Sequence, residues 1–315
     1  MTQEFRITVV IPTYNRARLL RQTLAGVTRQ DFPADRYEVI VIDNNSRDDT
    51  RDAVAAFAAA RPAPRYVLEI RPGANHARNR GIAESTGMIV IFADDDILVE
   101  PDWLRQLVAP FAADATGKIG AVGGEVISVF PEGCPAWIRD FHGPQALRAD
   151  LGPTRADQVP MSANLAFRRD ILLQLGMFDT SVTRQGRRAF SSDENVLIRR
   201  LWRAGYEVWF APAARVLHQM PASRLTFRYV ARHAFDSARS RVADRVNDLR
   251  AYHRPTAGFL GSRLLANLLK APGFAGWALL CLLLLRTGNA KQALVRAWRS
   301  CGYLYQISRS ALGKM

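Results

Sequence analysis

The sequence predicts an α/β fold: a mostly parallel sheet flanked by helices, followed by a helical C-terminal extension. Three observations carry this. Strand-like and helix-like segments alternate through the first half of the chain, as βα units do. The strand-like runs are continuously apolar, which is the pattern of strands buried on both faces. Beyond His218 the alternation gives way to long basic and apolar helical stretches.

In order, "ITVVIP" is a β-branched run stopped by Pro12; "YEVIVID", "RYVLEI" and "GMIVIFADDD" follow as strands, and "IGAVGGEV" is a fifth. Helical spacing fills the gaps in "ARLLRQTLAGVTRQ", "DDTRDAVAAFAAA", "HARNRGIAEST" and "PDWLRQLVAPFA". From about residue 130 to 160 the chain is rich in Pro, Gly and charge, the pattern of either a disordered segment or a functional lid, and Trp137 and Phe141 favour the lid. Periodicity resumes with "SANLAFRRDILLQLGMFD", the helical "SDENVLIRRLWRAG" and the strand-like "YEVWFAPAARVLH". The expected division is a catalytic domain over 1–222, with halves 1–100 and 101–222, and an extension over 223–315.

The formal charge of +14 and pI near 10.5 call for an anionic partner: nucleic acid, a membrane surface or a phosphorylated small molecule. Cys134, Cys281 and Cys301 are too few and too far apart for a disulfide framework or a CxxC metal site, which fits a reducing compartment. The N-terminal "MTQEFRITVVIPTYNR" reaches polar residues and a proline too early for a signal peptide, so the catalytic part is expected inside the cell. In the extension, "FLGSRLLANLLKAPGFAGWALLCLLLLRTG" is apolar but broken by Arg263, Lys270 and Pro272. Its uninterrupted piece, 271–285, falls short of the roughly 20 residues that span a bilayer. An interfacial, re-entrant or packed-hairpin arrangement is therefore expected, with flanking Arg and Lys suited to an anionic leaflet.

In parallel sheets ligands gather at the carboxyl ends of the strands. The residues placed there are Thr13, Tyr14 and Asn15, then Asp43 and Asn44, then Arg71, then Asp94, Asp95 and Asp96. Three adjacent like charges have two explanations: a turn, since Asp accepts bonds from nearby amides, or a hard divalent cation that neutralises them. Pro12 and Tyr14 end the first strand with a rigid, partly aromatic wall suited to a planar base. "HARNRG" sets Arg78 on the opening turn of a helix near the strand ends. Asp193 and Glu194 start another helix, where acidic side chains also complement the helix dipole.

The ordered set "VVIPTYNR" (9–16), "VIDNNSRDDT" (41–50), "GANHARNRGIAESTG" (73–87), "IFADDD" (91–96), "NLAFRRD" (164–170) and "SDENVLIRRLWRAGYEVWFAPAARVLH" (192–218) resembles the family 2 glycosyltransferases over roughly residues 5–220. The resemblance implies the Rossmann-like GT-A fold, which binds nucleotide sugars. It implies a donor site of Pro12, Thr13, Tyr14, Asp43, Arg78, Asp94 and Asp95, with Asp43 accepting from the ring N–H of uracil or thymine as in UDP or dTDP sugars. Asp94 and Asp96 match the ends of the family's Asp-x-Asp element, which holds Mg²⁺ or Mn²⁺, and His218 resembles a further metal ligand. Inverting transfer needs a base opposite the leaving diphosphate. The family usually reads Glu-Asp there with the second residue as base; this chain reads Asp-Glu, so the register gives Glu194 and Asp193 competes.

The implied activity is transfer of a sugar from a nucleoside-diphosphate sugar to a glycan or lipid-linked acceptor, at the cytoplasmic face of the inner membrane. A sugar nucleotidyltransferase would show a Gly-rich phosphate loop, which "IPTYNRARLL" lacks. A nucleic-acid partner is set aside because an acidic cluster occupies the expected active edge and no nucleic-acid module is recognisable. A binding-only relative with an inactive Asp193–Glu194 pair remains the other alternative.

Overall fold

The computed structural model describes residues 6–141, 147–155, 158–180, 193–251 and 253–312. Its residues divide into two compact units. The first, described over 6–129, 147–155, 158–180 and 193–219, is built on one nine-stranded sheet.

Its elements run β1 (Ile7–Thr13), α1 (Ala17–Val27), β2 (Tyr37–Asp43), α2 (Thr50–Ala55), β3 (Arg65–Leu68), α3 (Ala74–Glu84), β4 (Ile89–Ala93), β5 (Ile97–Val99), α4 (Trp103–Ala113), β6 (Ile119–Val129), β7 (Gly152–Pro153), β8 (Asn164–Arg168), α5 (Arg169–Gln174), α6 (Asp193–Arg203) and β9 (Glu207–Gln219). The strand order is β3-β2-β1-β4-β8-β6-β9-β5, with β7 paired to β9. β3, β2, β1 and β4 are mutually parallel; β8 runs antiparallel to both β4 and β6, and β9 is parallel to β6.

The continuous apolar runs are explained by burial on both faces. Val9 and Ile11 of β1 join one core with Leu20, Leu24, Trp103 and Leu107 of α1 and α4. The alternate residues, Val10 of β1 and Ile40 of β2, join a second core with Ile82 of α3 and Leu197 and Leu201 of α6. Strand pleating sends successive side chains to opposite faces, so a strand between two cores must be apolar at every position. Glycines permit the closest approaches. A Cβ at Gly124 would lie 2.0 Å from the Ala214 carbonyl oxygen and 2.3 Å from Asn164 Nδ2. There the β6–β9 register shifts, and buried Asn164 replaces the missing ladder bonds: its Nδ2 donates to the carbonyls of Glu125 and Ala214, and its Oδ1 accepts from Trp103 Nε1 at 2.9 Å.

The stretch expected as one lid over 130–160 is divided. Residues 152–153 form β7 on the sheet edge. Residues 130–141 belong to the second unit, where Ile138 in a 3₁₀ turn is fully buried and Trp137 meets Phe227 at 6.1 Å between ring centroids. Residues 142–146 and 156–157 of that call lie outside the described residues.

The second unit is otherwise helical: α7 (Phe227–Ala251), α8 (Ala257–Leu283) and α9 (Thr287–Ala311), with α9 packed against both α7 and α8. The second unit takes in the chain from Met220 onward. A larger difference concerns α8. The sequence reading took 271–285 as the uninterrupted apolar piece, whereas the helix runs for 27 residues from Ala257 to Leu283, through Lys270 and Pro272. It is therefore about 40 Å long, enough for the hydrocarbon core of a bilayer. Only 17% of its most apolar window is buried, its Leu269 and Leu283 stand 70% and 73% exposed, and Leu285, just past its end, 87%. Neighbouring helices supply the packing that lets a helix tolerate an internal proline.

Candidate active site

The parallel strands deliver their polar ends to one edge. Thr13 and Asp43 are register partners at the ends of β1 and β2, and β4 ends at Ala93, immediately before the three aspartates. Two side-chain staples fix this edge. Asp48 accepts from the Ala17 amide at 2.9 Å and so anchors the first turn of α1. Asn44 donates to the carbonyls of Glu69 and Arg71, while its Oδ1 accepts from the Gly73 amide at 2.7 Å, which ties the loop after β3 to the start of α3.

Asp43 is buried and forms an Asx turn: Oδ1 accepts from the Ser46 amide at 2.9 Å. Its Oδ2 accepts from the Tyr66 hydroxyl at 2.7 Å. Burial, and then the bond to Asp43 and its charge, push the Tyr66 phenol up to about 12. A carboxylate has about four lone-pair sites, so Asp43 keeps acceptor capacity beyond these two bonds. Tyr14 is 54% exposed at the same edge. Pro12 is half-buried beside Ile42 in the β1–β2 register.

The aspartates divide their tasks. Asp95 is turned to the protein: Oδ2 accepts from Thr13 Oγ1 at 2.7 Å, and Oδ1 from Arg16 Nη1 at 2.8 Å. Asp96, fully buried, accepts from the same Arg16 nitrogen on Oδ2 at 2.7 Å. Its other oxygen, Oδ1, lies 2.9 Å from His218 Nε2. Asp94, Asp96 and His218 each offer one ligand atom, and these atoms lie within 4.8 Å of one another. His218 reaches this place because β9 pairs it with Ile97 on β5, directly after the triplet.

This donor set, two carboxylates and an imidazole, suits a divalent cation of Mn²⁺ or Mg²⁺ type. Asp95 takes no part in it. Burial raises the Asp95 carboxyl, Arg16 pulls it back and Asp96 raises it again, leaving it pushed up to about 6. Burial alone would lower the Arg16 guanidinium; Asp95 and then Asp96 more than reverse this, so Arg16 stays charged.

Arg16 has no role in the sequence reading, although it lies inside "VVIPTYNR". The signal was electrostatic: two adjacent buried carboxylates, Asp95 and Asp96, call for a positive partner, and Arg16 meets both. Arg78, by contrast, is largely buried. It donates to Asn75 Oδ1 and Ser162 Oγ, and its guanidinium lies 5.4 Å from the Phe178 ring centroid. Glu194 is partly exposed in the first turn of α6. The Asp193 side chain lies outside the described residues.

Residues 8–175 match the sequence profile of "Glycosyl transferase family 2". The chain belongs to glycosyl transferase family 2. Among relatives in the family it is 30% identical to glycosyltransferase AglE of Haloferax volcanii over 65% of this chain and 64% of the relative. It is 27% identical to the glucosyl-dolichyl phosphate glucuronosyltransferase of the same organism, covering 73% of this chain and 74% of the relative. The chain spans 64% and 51% of the length of the first two curated relatives it matches. Among solved structures it superimposes on the mannosyltransferase PcManGT of Pyrobaculum calidifontis, in complex with GDP-Man and Mn²⁺, with a TM-score of 0.62, 27% identity, and coverage of 95% of this chain and 88% of that one. The architecture is therefore the GT-A fold of the family, as the sequence motifs implied.

Proposed function

We propose that the protein is an inverting, divalent-cation-dependent glycosyltransferase that moves a sugar from a nucleoside-diphosphate donor to a hydroxyl of a glycan or lipid-linked acceptor. The observation that carries this reading is the convergence of Asp94, Asp96 and His218 at the strand edge that also holds Thr13 and Asp43. When bound, the cation would supply Lewis-acid stabilisation of the departing diphosphate. The chain's own residues do the rest. Pro12, Thr13 and Tyr14 line the base, and Asp43 accepts from its ring N–H. That bond favours bases with an N–H beside a carbonyl: uracil and thymine, the preferred donors, and also guanine, the base of the donor bound by PcManGT. Asp94 lies toward the ribose, Asp95 serves the donor site from behind by holding Thr13 and Arg16, and Arg78 supports the diphosphate side. Glu194, with Asp193 beside it, takes the acceptor proton as the oxygen attacks the anomeric carbon from the face opposite the leaving group.

A donor screen tests this directly. Purified protein is offered UDP, dTDP and GDP sugars, and release of the nucleoside diphosphate is measured. The expected result is turnover of a uracil- or thymine-type donor that stops with EDTA and returns with Mn²⁺ or Mg²⁺. Turnover indifferent to chelation would overturn the cation's role.

The exposed leucines of α8 and the flanking Arg263, Lys270, Arg286 and Lys291 support docking on the cytoplasmic face of the inner membrane. The absence of any disulfide among the three cysteines fits that compartment. Similarity to a dolichyl-phosphate-dependent relative makes a lipid-linked acceptor the favoured one. Full-length protein is expected to float with vesicles containing anionic lipid and to bind neutral vesicles more weakly. Equal recovery with no vesicles present would reject docking.

A further inference from the structure

We propose that Arg16 is a built-in counter-ion of the acidic cluster: it holds Asp95 and Asp96 in place when no divalent cation is bound, and by sharing Asp96 with that cation it limits how tightly the cation binds. The second half rests on the cation reading above; the first does not.

The geometry is specific. One guanidinium nitrogen, Nη1, meets Asp95 Oδ1 at 2.8 Å and Asp96 Oδ2 at 2.7 Å. The two carboxylate side chains are 6% and 0% exposed, and Arg16 itself is 28% exposed, so the bridge closes the cluster from the solvent side. Its backbone is fixed independently of the aspartates. The Leu20 amide donates to the Arg16 carbonyl at 3.0 Å, and the next residue, Ala17, is held by Asp48. The side chain therefore leaves a rigid helix start aimed at the cluster.

Adjacent buried carboxylates without a positive partner are strongly unfavourable, and water reaches neither side chain in quantity. Thr13 gives Asp95 one hydrogen bond but no charge. Arg16 is thus, among the described residues, the permanently charged partner that touches both carboxylates, and it makes the cluster tolerable before the divalent ion arrives. Asp96 then serves two cations: Arg16 lies on Oδ2, while Oδ1 faces His218 of the ligand group. Two positive charges on one carboxylate repel each other and divide its negative charge. Arg16 so acts through Asp95 and Asp96 as a positioning residue. A single nitrogen makes both contacts, so a lysine ammonium can replace it here, which would not hold for a planar bidentate clamp on a ligand.

The test compares wild type, Arg16→Ala and Arg16→Lys in the full chain by thermal melting in EDTA and by titration of the free Mn²⁺ electron paramagnetic resonance signal. Arg16→Ala is expected to melt about 6 °C or more below wild type in EDTA. It is also expected to bind Mn²⁺ at least about threefold tighter, so that Mn²⁺ restores more of its melting temperature than it adds to wild type. Arg16→Lys should stay near wild type in both. An unchanged metal-free melting temperature in Arg16→Ala, or Mn²⁺ bound more weakly, would overturn the proposal. If Arg16→Ala yields no folded protein, Arg16→Gln, which keeps an N–H donor without charge, takes its place. A wild type that binds no Mn²⁺ defeats the cation reading alone, and the melts in EDTA then decide whether Arg16 holds the carboxylates.

Discussion

Glu194→Gln is expected to lower the rate of sugar transfer by about 10²–10⁴-fold, the usual contribution of a positioned general base. Gln keeps the length and shape of the side chain and removes its ability to take a proton, so the donor KM should stay close to wild type while kcat falls. The position supports the test. Glu194 sits in the first turn of α6, partly exposed, and so is open to an acceptor in solution; Leu197 and Leu201 of the same helix are buried in the core and fix its axis. Loss of the carboxylate at the surface end leaves those core contacts intact. Steady-state kinetics with the donor identified by screening would check the result, run beside Asp193→Asn. A larger fall in Asp193→Asn than in Glu194→Gln would move the base to Asp193, the residue that the family's usual length of side chain favours. Wild-type kinetics in both variants would remove the Asp193–Glu194 pair from the proton transfer and place the base on another residue.

How far the sequence carried the fold depended on where burial was symmetric. β1, β2 and β4 were legible because two cores force every position to be apolar. β5 was not, since three residues, Ile97–Val99, give no period to read. β8 was legible only as a periodic stretch. Its meaning lies in Asn164, a polar residue in an apolar context that repairs the β6–β9 register shift, and a long-range role of this kind has no local signature. The acidic triplet was visible at once, yet its internal division was not. Whether a carboxylate faces protein or ligand is decided by partners 80 residues away, as with Arg16, or on another strand, as with His218. The extent of α8 was not legible either: Lys270 and Pro272 interrupt the apolar pattern, yet the helix runs through both with α9 packed along it.

Asp96→Asn should abolish Mn²⁺ binding at ordinary concentrations and bring transfer below detection, while leaving the metal-free protein folded. The first outcome follows from chemistry. Asp96 is the buried carboxylate at the centre of the Asp94–Asp96–His218 group, and a neutral amide is a far weaker ligand for a hard cation. The second follows from satisfiability. The Asn oxygen can still accept from Arg16, and the amide nitrogen can donate to His218 Nε2 in the tautomer that carries its proton on Nδ1, so neither neighbour is left without a partner. Electrostatics points the same way. Asp95 is pushed up to about 6 by burial, with Arg16 opposing and Asp96 adding to the rise, so neutralising Asp96 relieves its neighbour. The sign of this linkage can be measured. A raised folded-state pKa means that the Asp95 contribution to stability is fully present below its unfolded value near 3.8 and is lost as pH climbs through about 6. In EDTA, Asp96→Asn should therefore lose less stability than wild type across that window, because its Asp95 titrates lower. Melting curves from pH 4 to 7 with and without Mn²⁺ separate the two effects. A variant that is folded, insensitive to Mn²⁺ and inactive supports the site as assigned, whereas one that still gains stability from Mn²⁺ would place the cation elsewhere.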